Sequence, residues 1–294
     1  MLRKLCLLFL IGWGSVSLSK AQLVREFRAP EKTGFEMVHL EFSTYKSTTQ
    51  LKRIKSAVPV YIHGHLTKTN ILPVFSHQIV DNILETSLTH KNVESENLGK
   101  SITSKFFDSD GDFDHSWDLG LNSNFLYHLD FNLGMGKAIF DLAQLPVSQL
   151  KVKSASADVV VHYGSSDPNQ IQMDTLLVTL NMGSVDIQSA NFTNAKLMIF
   201  EVNYGSINLN FSEGMPSSCN VIAAVGAGTL NLHLPSDSFP IKIKMKTTAM
   251  CRTSLPKYLR SIDKETYVTK GYNASDPRLL ELIVDVGVGS LTIE

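Results

Sequence analysis

The chain has 294 residues, 43% apolar and 19% charged, with 27 Lys and Arg against 28 Asp and Glu. That is ordinary globular composition, long enough for one or two domains. Charge this near balance, without a basic cluster, excludes the electrostatic footprint of a nucleic-acid binder.

The first element reads as an export signal. Arg3 and Lys4 precede an apolar stretch from Leu5 to Trp13, too short for the roughly 20 residues of a membrane span. Ser19-Lys20-Ala21 then puts small residues at the two positions a signal peptidase reads. The expectation is a signal peptide at 1–21, cleaved after Ala21, and export to the periplasm or the extracellular space. No other segment reads as a transmembrane span. The mature chain then carries 24 basic and 28 acidic residues. Cys6 leaves with the signal, so Cys219 and Cys251 remain, in an oxidising compartment. A disulfide between them and two buried thiols both fit the spacing. Two thiols are too few for a structural zinc site.

Residues 22–120 form a less regular β region, expected to continue the stack described next. EMVHLEF (36–42), PVYIHGHL (59–66), PVFSHQIV (73–80) and NILETSLTH (82–90) alternate apolar and polar residues and read as strands. His63-Gly64-His65 puts two imidazoles on one strand face, but no neighbouring acid or cysteine completes a ligand set, so they read as exposed strand histidines. DSDGDFD offers Asp108, Asp110, Asp112 and Asp114 as calcium oxygens. With Gly111 at position 6, position 1 would be Phe106, so the EF-hand template fails and only a looser calcium loop or a solvated acidic turn is left.

From residue 121 the chain repeats a phrase: LNMGSVDIQ (180–188), VNYGSINLN (202–210), VGAGTLNLH (225–233) and VGVGSLTIE (286–294). Six segments align without gaps when position zero is set at Gly136, Ala157, Gly183, Gly205, Gly228 and Gly289. Positions −7, −5, −3, +2 and +4 are apolar in every segment except at Ser154. Each half has the period of two expected of a strand with one buried face. The parity changes at zero, so a bulge or sharp bend must absorb one residue there. Glycine and asparagine crowd position −2 (Gly134, Asn181, Asn203, Gly226, Gly287), where a positive φ is expected. Successive zeros lie 21–26 residues apart until the last, which points to a β-solenoid over 121–294, with the glycines as structural corners. The outward position +3 carries Asp186, Asn208 and Asn231 in consecutive turns, a polar ladder. Before the last segment comes an excursion at 250–277, a cap or a binding element. In it Pro256 suits the first turn of a short helix.

The phrases LGMGKAIFDLAQLPVSQLKV (133–152), VNYGSINLNF (202–211), VGAGTLNLHLP (225–235) and VDVGVGSLTIE (284–294) resemble the toast-rack β-solenoid family. That family includes adhesin domains of bacterial envelope proteins and the C-terminal domains of cell-wall-active-antibiotic-response proteins. The resemblance implies an all-β stack of bent strands, an envelope location, no catalytic residues and no cofactor. The chain departs from the antibiotic-response branch, whose members join this domain to transmembrane helices, in carrying an expected signal peptide instead.

Nucleophile elbows, HExxH and P-loop patterns are absent. A glycan-cleaving site would need two acids converging on one groove, whereas Asp141, Asp158 and Asp186 occupy different outward positions. The leading expectation is a secreted, non-catalytic structural or interaction module of the envelope, adhesin-like, with an envelope protein or glycan as partner. The alternatives are a glycan-active solenoid enzyme and a sensory subunit of an envelope stress response.

Overall fold

The computed structural model describes residues 23–31, 34–66, 71–92, 115–164 and 166–294. The expected signal peptide and the calcium candidate Asp108, Asp110, Asp112 and Asp114 lie outside these residues. Among the described residues no helix is long and apolar enough to cross a membrane.

The strands are β1 (Leu23–Arg28), β2 (Met37–Ile54), β3 (Val60–Leu66), β4 (Ile71–Val80), β5 (Ile83–Asn92), β6 (Ser116–Asn122), β7 (Leu126–Asp141), β8 (Val147–His162), β9 (Met173–Ile187), β10 (Ala195–Asn210), β11 (Cys219–His233), β12 (Ile241–Thr247), β13 (Cys251–Ser254), β14 (Arg260–Ser261), β15 (Thr266–Val268) and β16 (Leu280–Ile293). All belong to one sheet with the order β1-β3-β6-β2-β7-β8-β9-β10-β11-β16-β12-β15-β14. Strands β4 and β5 form a hairpin beside β2, and β13 lies beside β16. The fold is all-β, a stack of bent strands.

Strands β2, β7, β8, β9, β10, β11 and β16 are parallel rungs, each long enough to run along both arms of the bend. The corner residues are register partners throughout: Ser47, Gly136, Ala157, Gly183, Gly205, Gly228 and Gly289. Both arms turn their apolar columns to one core, so Val202 and Leu209, on either side of Gly205, are both buried. Return loops close the third side with Leu142, Leu145, Phe211, Met215 and Leu234. In that wall Asn169 is buried and accepts the Val147 N–H at 2.9 Å while donating to the Val147 carbonyl at 2.7 Å. Ser154, the one polar entry in the columns, donates to the Gly134 carbonyl one rung away.

The bend differs from the sequence expectation in one respect. The positive φ falls at position zero, between 122° and 145° in the five glycines, and not at position −2. The reason is stacking. A Cβ on Gly205 would stand 1.7 Å from the carbonyl oxygen of Gly183, and one on Gly228 would stand 1.8 Å from that of Gly205. These five corners need glycine because the neighbouring corner's carbonyl occupies the space of a side chain, whereas Ser47 and Ala157 reach the corner without a positive φ.

Strand β2 is a further rung in the same register. Its corner and its flanking inward positions are polar, Thr44, Ser47 and Thr49, all buried. Their hydroxyls satisfy one another, Ser47 Oγ lying 3.0 Å from Thr44 Oγ1 and 3.4 Å from Thr49 Oγ1. The rung beyond it is divided: β5 pairs with the first arm of β2 and β6 with the second. At the other end, β12 and β13 pair with the two arms of β16 as a last, interrupted rung. Within the excursion, Pro256 starts a turn closed by the Leu259 N–H to the Pro256 carbonyl, and β14 follows in place of a helix.

Of the two readings open for the cysteines, the register does not bring the pair together. Cys219 pairs with Leu280 and Cys251 with Gly289, nine residues apart along β16. At about 3.3 Å per residue that is far beyond the roughly 7 Å Cα limit of a disulfide, even across a bend. Both cysteines are free.

Candidate functional site

The outer face of the corner is where the stack departs from a plain polar surface. Because the bend projects there, position −1 stands clear of the sheet on register-paired rungs. Met182 is 53% exposed, Tyr204 60% and Val288 43%, forming an apolar ridge along the stack axis. Beside it runs a shallow trough of about 540 Å³ over the first arm. Its walls carry Ser43, Asn132, Thr179, Asn181 and Asn203, with Gly134 in the floor. Asn203 Nδ2 donates to Asn181 Oδ1 at 3.1 Å, which aligns the two amides on successive rungs. Lys153 supplies the one charge at the trough.

On the second arm, the residues of the expected ladder are register partners: Asp186, Asn208 and Asn231. Asn231 Nδ2 donates to Asn208 Oδ1 at 2.7 Å, while Asp186 accepts from Gln188 Nε2 at 2.9 Å. The acids weighed for catalysis are held locally. Asp141 accepts the backbone N–H groups of Ala143 and Gly164, and Asp158 accepts the Ser184 hydroxyl at 2.5 Å. The corner glycines Gly136, Gly183, Gly205, Gly228 and Gly289 serve backbone geometry and present no side chain.

Sequence reasoning missed a charged clamp on the first arm. The registers set His39 opposite Glu85 on β5 and His128 on β7, and its ring reaches diagonally to Asp130, two residues further along β7. Its Nδ1 lies 2.6 Å from Glu85 Oε2 and its Nε2 3.2 Å from Asp130 Oδ2. Burial, the largest single effect, disfavours the imidazolium, but the hydrogen bonds and charges of Asp130 and Glu85 together outweigh it, and the His39 pKa is raised. Both ring nitrogens of the imidazolium then donate. His128, its register partner on β7, is pushed down by burial and by the His39 charge. The two carboxylates therefore converge on an imidazolium and fasten three strands. The signal was outward polar residues at neighbouring register positions, invisible until the registers are known.

No protein-family model matches the chain, and no curated protein matches it. Two solved structures are similar to it over most of its length. A "putative cell adhesion protein" from Clostridium sporogenes is 14% identical, with a TM-score of 0.49 over 93% of this chain and 99% of that one. A "putative adhesin" from Bacteroides fragilis is 12% identical, with a TM-score of 0.38 over 94% of this chain and 98% of that one.

Proposed function

We propose that the chain is an exported, non-catalytic interaction module of the cell envelope, adhesin-like in action, that binds a neutral glycan along the outer corner. The observation that carries this reading is the trough edged by hydroxyl and amide side chains, with Lys153 its one charge, beside the exposed Tyr204 ring. Hydroxyl and amide groups match sugar hydroxyls, and an exposed aromatic face matches the apolar face of a pyranose. The in-register rungs hold these groups in place before binding, which lowers the ordering cost of association. The local bonding of Asp141, Asp158 and Asp186 favours binding over hydrolysis.

The test is retention of the purified mature chain on insoluble envelope glycan, compared with an unrelated secreted protein of similar charge. Tyr204→Ala should weaken retention about tenfold or more, the scale of a hot-spot residue, without lowering the melting temperature. Retention no better than the control, or unchanged in Tyr204→Ala, overturns the reading.

A further inference from the structure

The two strand histidines left without an acid in the sequence acquire one in the fold. Strands β3 and β6 are antiparallel, and their register sets His63 opposite Asp118, His65 opposite Ser116 and Gly64 opposite Trp117. Directly opposed residues share a face, so both imidazoles and the carboxylate stand on the outer side of the sheet. The ligating atoms of His63, His65 and Asp118 all lie within 4.8 Å of one another. The two imidazole rings are 4.5 Å apart, centre to centre.

We propose that His63, His65 and Asp118 form a binding site for a borderline divalent transition ion of the zinc class. Imidazole nitrogen suits such ions, and two nitrogens with one carboxylate exclude a dedicated calcium or magnesium site, which is built from oxygen. Around a tetrahedral ion with bonds of about 2.0–2.1 Å, ligand atoms lie about 3.3 Å apart. Closing from the present spacing requires each side chain to rotate by about an ångström or two, with no movement of the strands.

The backbone beneath the site is fixed by its own packing. Trp117 is fully buried, and its six-membered ring lies directly under Gly64. A Cβ on Gly64 would stand 2.4 Å from Trp117 Cζ3, so glycine lets β3 settle onto the indole and hold the flanking histidines at constant spacing. On the far side of β3, Glu26 faces His63 from β1 but is drawn away to Arg28, 3.3 Å distant. Arg28 is itself held over the Tyr61 ring. Three protein ligands therefore face solvent, and water completes the coordination. The ion ties β3 to β6, on the arm opposite the His39 clamp, and is independent of the glycan reading.

The experiment uses the tag-free mature chain, stripped with EDTA and titrated with Zn²⁺ by calorimetry and thermal melting. One ion per chain should bind with a dissociation constant on the order of 1 μM or tighter and raise the melting temperature. His63→Ala, His65→Ala and Asp118→Asn should each weaken binding at least tenfold, since even outer-shell partners cost about 10–100-fold. His77→Ala, on β4, should leave it unchanged. Cu²⁺ bound at the site should show two coupled imidazole nitrogens by electron paramagnetic resonance, and one in either histidine variant. Absence of saturable Zn²⁺ binding, or wild-type affinity in all three ligand variants, overturns the proposal.

Discussion

Substituting alanine for the glycine at a central corner tests whether the stack depends on carbonyls packed against glycine. At Gly205 φ is 145°, and a Cβ would meet the Gly183 oxygen at 1.7 Å. The backbone strain costs about 1–3 kcal/mol. The contact is more than 1 Å inside any real Cβ approach, so the rungs must separate locally, with loss of ladder hydrogen bonds worth about 1 kcal/mol each. Gly205→Ala should thus cost about 3–5 kcal/mol, a fall in melting temperature of about 6–20 °C for a fold of this size. The comparison is Ala157→Gly, the same column on a corner that already carries a Cβ without positive φ. It loses backbone entropy, about 0.5–1 kcal/mol, and one buried methyl worth about 0.8 kcal/mol. Urea denaturation of both variants, with the slope checked for constancy, reads the difference. If Gly205→Ala costs no more than Ala157→Gly, corner stacking does not hold the rungs together.

Three further outcomes follow from individual side chains. His39 has a raised pKa in the folded state, so its contribution is fully present below the unfolded value near 6.5 and is lost as pH rises through the folded value. The melting-temperature gap between wild type and His39→Gln should therefore be widest near pH 6 and narrow above it, and a gap that widens with pH refutes the clamp. His90, its ring tilted against Trp117 at 5.0 Å between centres, is pushed down to about 4, chiefly by burial and then by the His115 charge, and neither ring nitrogen has a hydrogen-bond partner. The unfolded state then binds the extra proton between about pH 4 and 6.5, so stability is lost as pH is lowered through that window. His90→Leu should remove that loss and stabilise by about 1–3 kcal/mol at neutral pH, read by denaturation at two pH values. Burial pushes the Cys219 thiol up to about 12, while Cys251 is partly exposed. Iodoacetamide on the native, unreduced protein should add one group, at Cys251, as read by mass spectrometry; two unreactive sulfurs would contradict the register.

The repeating rungs were legible because one residue at zero and five inward columns recur with little variation from residue 121 on. Strand β2 carries the same geometry, but its alternating pattern ends at Phe42, where Thr44, Ser47 and Thr49 replace the apolar residues. Buried hydroxyls that satisfy one another are as compatible with a core as leucine, and a hydropathy column does not register them. The positive φ was expected at −2 because glycine and asparagine gather there; the carbonyl that forbids a Cβ at zero belongs to another rung. The same limit hid Asp118 beside His63 and His39 between Glu85 and Asp130. These are contacts across registers, and local pattern carries no register information between strands far apart in the chain. The trough beside Tyr204 was illegible for a further reason: its residues are unremarkable singly and gain meaning only when rungs align them.

The order of the last rungs has a consequence for folding. Strand β16 lies between β11 and the pair β12 and β13, although it follows both in the chain. The connection from β11 to β12 therefore climbs two rungs and leaves a slot one strand wide, which only β16 fills. Its ends are tied to both sides: the Leu280 N–H bonds the Pro240 carbonyl, the Cys219 N–H bonds the Leu279 carbonyl, and the Leu234 N–H bonds the Glu294 carbonyl. Strands β15 and β14 hang from β12 in turn. Without β16 the end rung has no sheet partner but its own small flap, and a two- or three-stranded piece of this size is not stable alone. Amides of β12, β13, β15 and β16 should then exchange as one cooperative unit, with protection lower than that of β9 and β10 in the middle of the stack. Deleting residues 280–294 should abolish protection in β12 and β15 as well, while β7 to β10 stay protected. If β12 keeps wild-type protection in the truncated chain, it has paired directly with β11. That pairing is open to it, since both strands run parallel to β16, and it would show that the slot closes without the strand that fills it.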